Sequence, residues 1–218
     1  MLRGGVTENN LVVAQVANDS PRLICLENFM DRGKWFATPI WHEHSNLNTE
    51  KIAKKCLYLM ESGFPNRKYS NMGGWQSNDL DLSKYKDFEE LVDYINTCLA
   101  NIAAEVHPKF KLGLMNAWIN INPKGTWNTR HAHPCSIISG VFYVATDQNT
   151  GDIIFDSGSA SKHYRMNPYD SDMFLRSAVY HPADGMIVLF PSWIEHEVTV
   201  NNSNKNRISI AFNADQIN

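Results

Sequence analysis

The hydrophobic pattern of the chain changes near residue 110. Before that point, apolar residues recur every three or four positions in two segments, 49–60 and 91–102, which is the spacing of an amphipathic helix. Asp87, followed three residues later by Glu90, predicts a capping box at the start of the second helix. The first half of the chain is therefore predicted to be largely helical.

After residue 110 the apolar residues form short runs between turns, which is typical of strands in a sandwich or barrel. We further expect 197–200 and 207–212 to pair as a hairpin around the polar loop 201–206. Together the halves predict an α+β, mainly β fold for residues 1–218 as one domain, with 1–110 as a helical flank and sheet extension. The other predicted strands are 114–121, 137–146, 153–155 and 186–190.

The composition is that of an ordinary globular chain of 218 residues, 43% of them hydrophobic. A net charge of −3 gives no basic field that would attract nucleic acid. The apolar runs are shorter than the roughly 20 residues of a membrane helix. The four cysteines, Cys25 among them, are too far apart in sequence for a paired metal or redox motif. We predict a cytoplasmic protein with reduced thiols and no membrane partner.

A histidine pair provides the first candidate chemistry. His131 and His133 are separated by one residue, so on an extended strand both side chains project to the same face, with Cβ atoms roughly 7 Å apart. Pro134 limits hydrogen bonding in the sheet, which places the pair at a strand end or bulge. His196 follows at the start of another predicted strand. Three neutral imidazoles on one side of a metal suit iron, copper or zinc.

Arg207 and Ser209 provide the second candidate site, because an arginine beside a hydroxyl can bind a carboxylate. Alternation along the strand leaves two possibilities. Either Ile208, Ile210 and Phe212 face the core and Arg207 faces solvent, or the inner face of the barrel is polar and Arg207 points inward.

The order of these residues resembles that of the 2-oxoglutarate- and Fe(II)-dependent oxygenases, in a group similar to phage and marine bacterial members. A Gly-Gly-Trp-Gln-Ser run at 73–77 extends the resemblance over roughly 140 residues. The motifs that carry it are His131-Ala132-His133-Pro134, Ser139-Gly140-Val141-Phe142-Tyr143, Phe190-Pro191-Ser192-Trp193-Ile194-Glu195-His196, and Arg207-Ile208-Ser209-Ile210-Ala211-Phe212-Asn213.

The resemblance implies a double-stranded β-helix, or jelly roll, whose core lies in 111–218 and whose helices flank it. It also implies a hydroxylase that uses Fe(II), 2-oxoglutarate and dioxygen on an unknown substrate. His131 and His196 would bind the iron, and Arg207 would bind the C5 carboxylate of 2-oxoglutarate. Further candidates for that carboxylate are Ser209, Tyr143 and, on the preceding strand, Asn120.

One position departs from the family pattern. Most members have Asp or Glu where this chain has His133. Either His133 is the third metal ligand, which leaves the iron more cationic, or a carboxylate such as Asp152 or Asp156 replaces it.

Two other functions are compatible with the sequence: a cupin-like three-histidine dioxygenase that does not use 2-oxoglutarate, and a non-catalytic phage jelly-roll binding protein. We also expect Trp75, Trp127 and Trp193 either to line a substrate mouth or to pack against the core. An oligomer is compatible with the sequence.

Overall fold

A computed structural model of the protein describes residues 38–156, 158 and 177–217. Two antiparallel sheets face each other across a cavity, and helices α1 (Thr49–Glu61) and α2 (Glu89–Val106) pack on the outer side of the larger sheet. Short 3-10 helices lie at Leu82–Lys84 and Lys86–Phe88. The strands are β1 (Trp41–His44), β2 (Asn71–Met72), β3 (Trp75–Gln76), β4 (Leu112–Asn122), β5 (Trp127–His131), β6 (Ile138–Ala145), β7 (Ile153–Asp156), β8 (Ser177–Tyr180), β9 (Met186–Pro191), β10 (His196–Val198) and β11 (Arg207–Gln216).

The strand order confirms the predicted jelly roll. The larger sheet runs β1-β9-β6-β11-β4-β3 and the smaller sheet runs β2-β5-β10-β7-β8, with every pair antiparallel. Strands β1, β2 and β3 come from the first half of the chain, and they lie at edges of the two sheets.

The larger sheet is buried on both faces. Ile208, Ile210 and Phe212 of β11 pack with the two helices, while Arg207 and Ser209, which alternate with them, are buried on the side of the smaller sheet. Because both faces are covered, side chains on either face can be apolar. This is why the predicted strands, 114–121 above all, alternate only roughly between apolar and polar residues.

The capping-box prediction is wrong. Helix α2 begins at Glu89, and its cap residue is Phe88, which makes no side-chain capping hydrogen bond. Asp87 lies within the preceding 3-10 turn, with its carboxylate 3.9 Å from the Lys55 ammonium. The 3-10 turn moves the helix start past the acidic residue, and Phe88 is buried instead.

The predicted hairpin is also wrong. Strand β10 pairs with β5 and β7 in the smaller sheet, whereas β11 pairs with β4 and β6 in the larger one. The loop between them crosses from one sheet to the other and is held by Asn201. Its buried amide donates to the Asn122 carbonyl at 2.8 Å and to the Lys205 carbonyl at 2.9 Å.

Among the residues that the structure describes, no helix is long and apolar enough to cross a membrane.

Gly140 shows how closely β6 and β11 approach. It is the register partner of Phe212, and a Cβ atom at this position would overlap the Phe212 ring. We expect Gly140→Ala to lower the free energy of unfolding by about 1–3 kcal/mol through overpacking. In a Phe212→Leu background the same change should cost less, because the ring is gone. Urea denaturation of the four proteins of this double-mutant cycle measures the difference, and strictly additive costs would contradict the expected overlap.

Candidate metal centre

Three histidines, two from neighbouring strands and one from the loop that follows the first strand, meet at one end of the cavity. His131 ends β5 and His196 begins β10, and the two are register partners in the smaller sheet. His133 lies in the loop after β5, where its backbone N–H donates to the Ser192 carbonyl at 2.9 Å. The ring centroids of His131 and His196 are 4.4 Å apart, and His133 is 5.1 Å from each. The predicted position at a strand end is confirmed.

The ring nitrogens of these histidines lie close enough together to hold one metal ion. One nitrogen from each lies within 4.8 Å of the others. Nδ1 of His131 is 2.7 Å from the Thr129 carbonyl, and Nδ1 of His196 is 3.1 Å from the Ile194 carbonyl. A carbonyl oxygen can only accept, so each Nδ1 carries the hydrogen and each Nε2 keeps a lone pair for a metal.

Burial keeps the imidazoles in the form that binds a metal. It lowers the pKa of His196 to about 3 and that of His133 to about 4, and it lowers the pKa of His131 as well. The neighbouring histidines add to the effect on His196 and His133. All three rings are therefore neutral at neutral pH, as metal ligation requires.

No carboxylate belongs to this cluster among residues 38–156, 158 and 177–217. Asp152, one of the two predicted alternatives, lies with its carboxylate 2.8 Å from Nδ1 of His181. Asp156, the other, forms an ion pair with Arg130. The arrangement favours His133 over either aspartate as the third ligand.

Arg207 lies in the lining of the same cavity, which has a volume of about 50 Å³. Its side chain points inward, and the residue is 2% exposed, so the solvent-facing alternative for this strand is wrong. The guanidinium donates to the Thr150 carbonyl at 2.8 Å and to Oδ1 of Asn128 at 3.3 Å. Within the described part of the chain no carboxylate lies within 4.0 Å of it. Burial lowers its pKa, but an arginine remains charged in proteins.

Polar groups without partners lie beside this cation. Asn120 and Tyr143 are the register partners of Ser209 on the two strands that flank β11, so their side chains form one row on the inner face. All three line the cavity and are more than nine-tenths buried. The Asn120 side chain makes no hydrogen bond to another described residue, so its NH2 is a free donor, while its buried Oδ1 has no donor partner. A buried cation with unused polar neighbours is a site for an anion that can also accept hydrogen bonds.

The predicted tryptophans do not line this cavity. Trp193 is 67% exposed and Trp127 is 39% exposed, while Trp75 packs against the helix side of the larger sheet. Trp118 lines the cavity instead, with its ring centroid 5.5 Å from that of His133. The sequence does not identify Trp118, because strand 114–121 shows no clear alternation that would assign a face.

Solved structures share this fold. A prolyl-4-hydroxylase from Pseudomonas putida is 12% identical, with a TM-score of 0.61 over 82% of this chain and 93% of that one. A prolyl hydroxylase from Trichoplax adhaerens is 14% identical, with a TM-score of 0.57 over 80% and 82%. HygX from Streptomyces hygroscopicus, solved with nickel and 2-oxoglutarate, is 11% identical, with a TM-score of 0.52 over 82% and 83%. No curated protein sequence matches the chain.

The chain is a non-haem iron oxygenase, an oxidoreductase whose cofactors are Fe(II) and 2-oxoglutarate. Residues 116–213, which contain the three histidines and Arg207, match the model of the family described as "Putative 2OG-Fe(II) oxygenase". The predicted family, fold and cofactors are thereby confirmed.

A divalent metal should stabilise this protein. We expect Co(II), or Fe(II) without oxygen, to raise the melting temperature, by a free energy of about 2.7 kcal/mol at a hundredfold excess over Kd. Only the folded state holds the three rings together, so the metal binds it in preference to the unfolded state. Calorimetry measures the shift, and a chelator should reverse it. His131→Ala should abolish the shift, whereas replacement of the exposed His181, outside the cluster, should leave it unchanged. Equal shifts in both variants would contradict the assigned centre.

Proposed function

We propose that His131, His133 and His196 bind Fe(II) through Nε2, and that the protein is a hydroxylase. The converging neutral imidazoles are the observation that supports this ligand set. Nitrogen ligands of this kind suit iron, and three of them leave coordination positions free for a cosubstrate and dioxygen. When bound, Fe(II) and 2-oxoglutarate supply the oxidation, in which 2-oxoglutarate and dioxygen yield succinate, carbon dioxide and an oxidised substrate.

We further propose that Arg207 binds the distal carboxylate of 2-oxoglutarate. The guanidinium is buried, and its only partners in the described residues are the neutral oxygens of Thr150 and Asn128. A cation in such surroundings gains most from a charged partner, and its fork geometry matches a carboxylate. A dioxygenase that did not use 2-oxoglutarate would leave this charge without a counterion.

The row beside Arg207 would complete the carboxylate site. The hydroxyls of Ser209 and Tyr143 and the amide of Asn120 make no hydrogen bond to any other residue that the structure describes, so each has a donor free for an anion. Burial raises the pKa of the Tyr143 hydroxyl, which keeps its proton available to donate.

The apolar part of the cavity would keep water away from the metal end. Val141, Phe190 and Trp118 have buried apolar side chains, and all three line the cavity that the histidines share with Arg207. A dry site strengthens each electrostatic contact and limits unproductive reaction with water.

We also propose that the protein is cytoplasmic and that residues 1–218 form one domain. Cys56, Cys98 and Cys135 are free thiols, which agrees with a reducing compartment, while Cys25 lies outside the described residues. Dioxygen, 2-oxoglutarate and a substrate are the proposed partners.

Anaerobic titration of Fe(II) with 2-oxoglutarate tests the ligand set. We expect a visible metal-to-ligand charge-transfer band in the wild type, because the 2-oxo acid chelates the iron. His133→Ala should abolish it, since one of the three ligands is lost. His181→Ala is the control and should retain it. A band that survives His133→Ala would assign the third ligand to a carboxylate, and a wild type that binds iron without the band would contradict 2-oxoglutarate binding.

Arg207→Leu tests the carboxylate site. We expect the Kd for 2-oxoglutarate to rise about 30-fold or more, which corresponds to the 2 kcal/mol or more lost with one partner of a buried charged pair. The metal-free variant should be as stable as the wild type or more stable, because a buried charge without a counterion is removed. Titration calorimetry and urea denaturation measure the two effects. Arg130→Leu, at a 41% exposed side chain, is the matched control. Unchanged 2-oxoglutarate affinity in Arg207→Leu would refute the assignment.

A further inference from the structure

His133 differs from the other two histidines in what holds its Nδ1. The rings of His131 and His196 donate to backbone carbonyls, which can only accept. Nδ1 of His133 lies 2.8 Å from the side-chain amide of Asn213. An amide can present either an acceptor or a donor, so the tautomer of His133 depends on which way this amide is turned.

A hydrogen-bonded chain fixes that orientation. Nδ2 of Asn213 donates to Oδ1 of Asn116 at 3.1 Å, and Nδ2 of Asn116 donates to Oδ2 of Asp79 at 2.9 Å. The other Asp79 oxygen accepts from the Arg67 guanidinium at 2.6 Å. We call Asp79, Asn116 and Asn213 the amide chain.

The orientations follow from the carboxylate inward. An ionised Asp79 can only accept, so Asn116 must turn its NH2 toward it and its oxygen toward Asn213. Asn213 must then turn its own NH2 outward and its oxygen toward His133. An oxygen in that place requires hydrogen on Nδ1 of His133. The lone pair is consequently on Nε2.

We propose that the amide chain sets the tautomer of His133 and thereby makes Nε2 its metal ligand, with Asn213 as the positioning residue. The consequence for metal binding rests on the proposed function, whereas the tautomer itself does not.

A second donor supports this orientation of Asn213. The buried Ser139 hydroxyl donates to the same Oδ1 at 2.7 Å and lies 2.8 Å from the Ser192 hydroxyl. If the amide were reversed, its oxygen would face Oδ1 of Asn116, which is also an acceptor, and this hydrogen bond would be lost. The backbone carbonyl of Ser192 accepts the His133 backbone N–H, so Ser192 also holds the loop that carries the ring.

The chain acts mainly through orientation rather than through the charge of Asp79. The Asp79 side chain is 46% exposed and already paired with Arg67, so solvent and the guanidinium screen its charge. The hydrogen bonds all run in one direction, from His133 toward Asp79, and such aligned chains strengthen one another.

The tautomers can be measured directly in the metal-free protein. Long-range ¹⁵N–¹H NMR at neutral pH should show hydrogen on Nδ1 of all three histidines in the wild type. In Asn213→Leu, and in Asp79→Leu at the far end, His133 should become a mixture of tautomers. His131 and His196 should not change, because backbone carbonyls hold them. Asn213→Asp, which keeps an acceptor beside His133, should retain the wild-type tautomer.

Metal affinity supplies the second measurement. We expect Asn213→Leu to weaken Co(II) binding about 10- to 100-fold, as loss of the partner of a ligating histidine does, and Asn213→Asp to restore it. Asn122→Leu is the matched control: this buried asparagine contacts Asn71 and Thr126 and no histidine. It should lower stability without changing the tautomers or the affinity.

Retention of Nδ1–H by His133 in Asn213→Leu would overturn the proposal. A change in Asn213→Leu with none in Asp79→Leu would overturn the role of the chain beyond Asn213. If the tautomers shift as expected but the wild type binds no Co(II), the proposed metal site fails while the role of the amide chain in setting the tautomer stands.

Discussion

The register of β11 between β4 and β6 is the constraint on which the rest of the structure depends. Side chains alternate along a strand, so Ile208, Ile210 and Phe212 complete the core under the helices while Arg207 and Ser209 reach the cavity. A slip of one residue would place the apolar set in the site and the charge in the core. Burial of the apolar set therefore fixes the positions of the polar set.

The same register distributes the chemistry along the sheet. At one end Asn213 faces its register partners Asn116 and Ser139, and this group holds His133. Towards the other end Ser209 lies between its own partners on β4 and β6, next to Arg207 along β11. Asn213 and Ser209 thus belong to one ladder, so backbone hydrogen bonds set the distance between the group that holds His133 and the polar row beside Arg207. A site on a rigid scaffold holds a two-ended ligand more exactly than loops can.

Much of this could be predicted from local pattern. Helical spacing located α1 and α2, because periodicity is a local property. The His131–His133 spacing, with the later His196, predicted the cluster of three histidines. The partner of β10 could not be predicted, since strand pairing is decided by which distant surfaces must be buried. The direction of Arg207 stayed open because alternation along β11 separates two faces without showing which of them is buried against the smaller sheet. Trp118 was missed because β4 is covered on both faces and shows no clear alternation.

The charge of the proposed metal site depends on His133, which stands where the family pattern has an Asp or Glu. In the proposed ligand set, three neutral imidazoles would leave the full charge of a divalent metal facing the cavity, whereas a carboxylate ligand would cancel half of it. At the other end Arg207 adds a buried positive charge that forms no ion pair with a carboxylate of the described residues. Both ends therefore favour a dianion, and the polar row between β4, β11 and β6 supplies hydrogen-bond donors where its distal carboxylate would lie. No carboxylate of the described residues belongs to the histidine cluster, so uncharged amides and hydroxyls would orient the His133 imidazole. Such groups can fix its tautomer without adding charge to the proposed metal site.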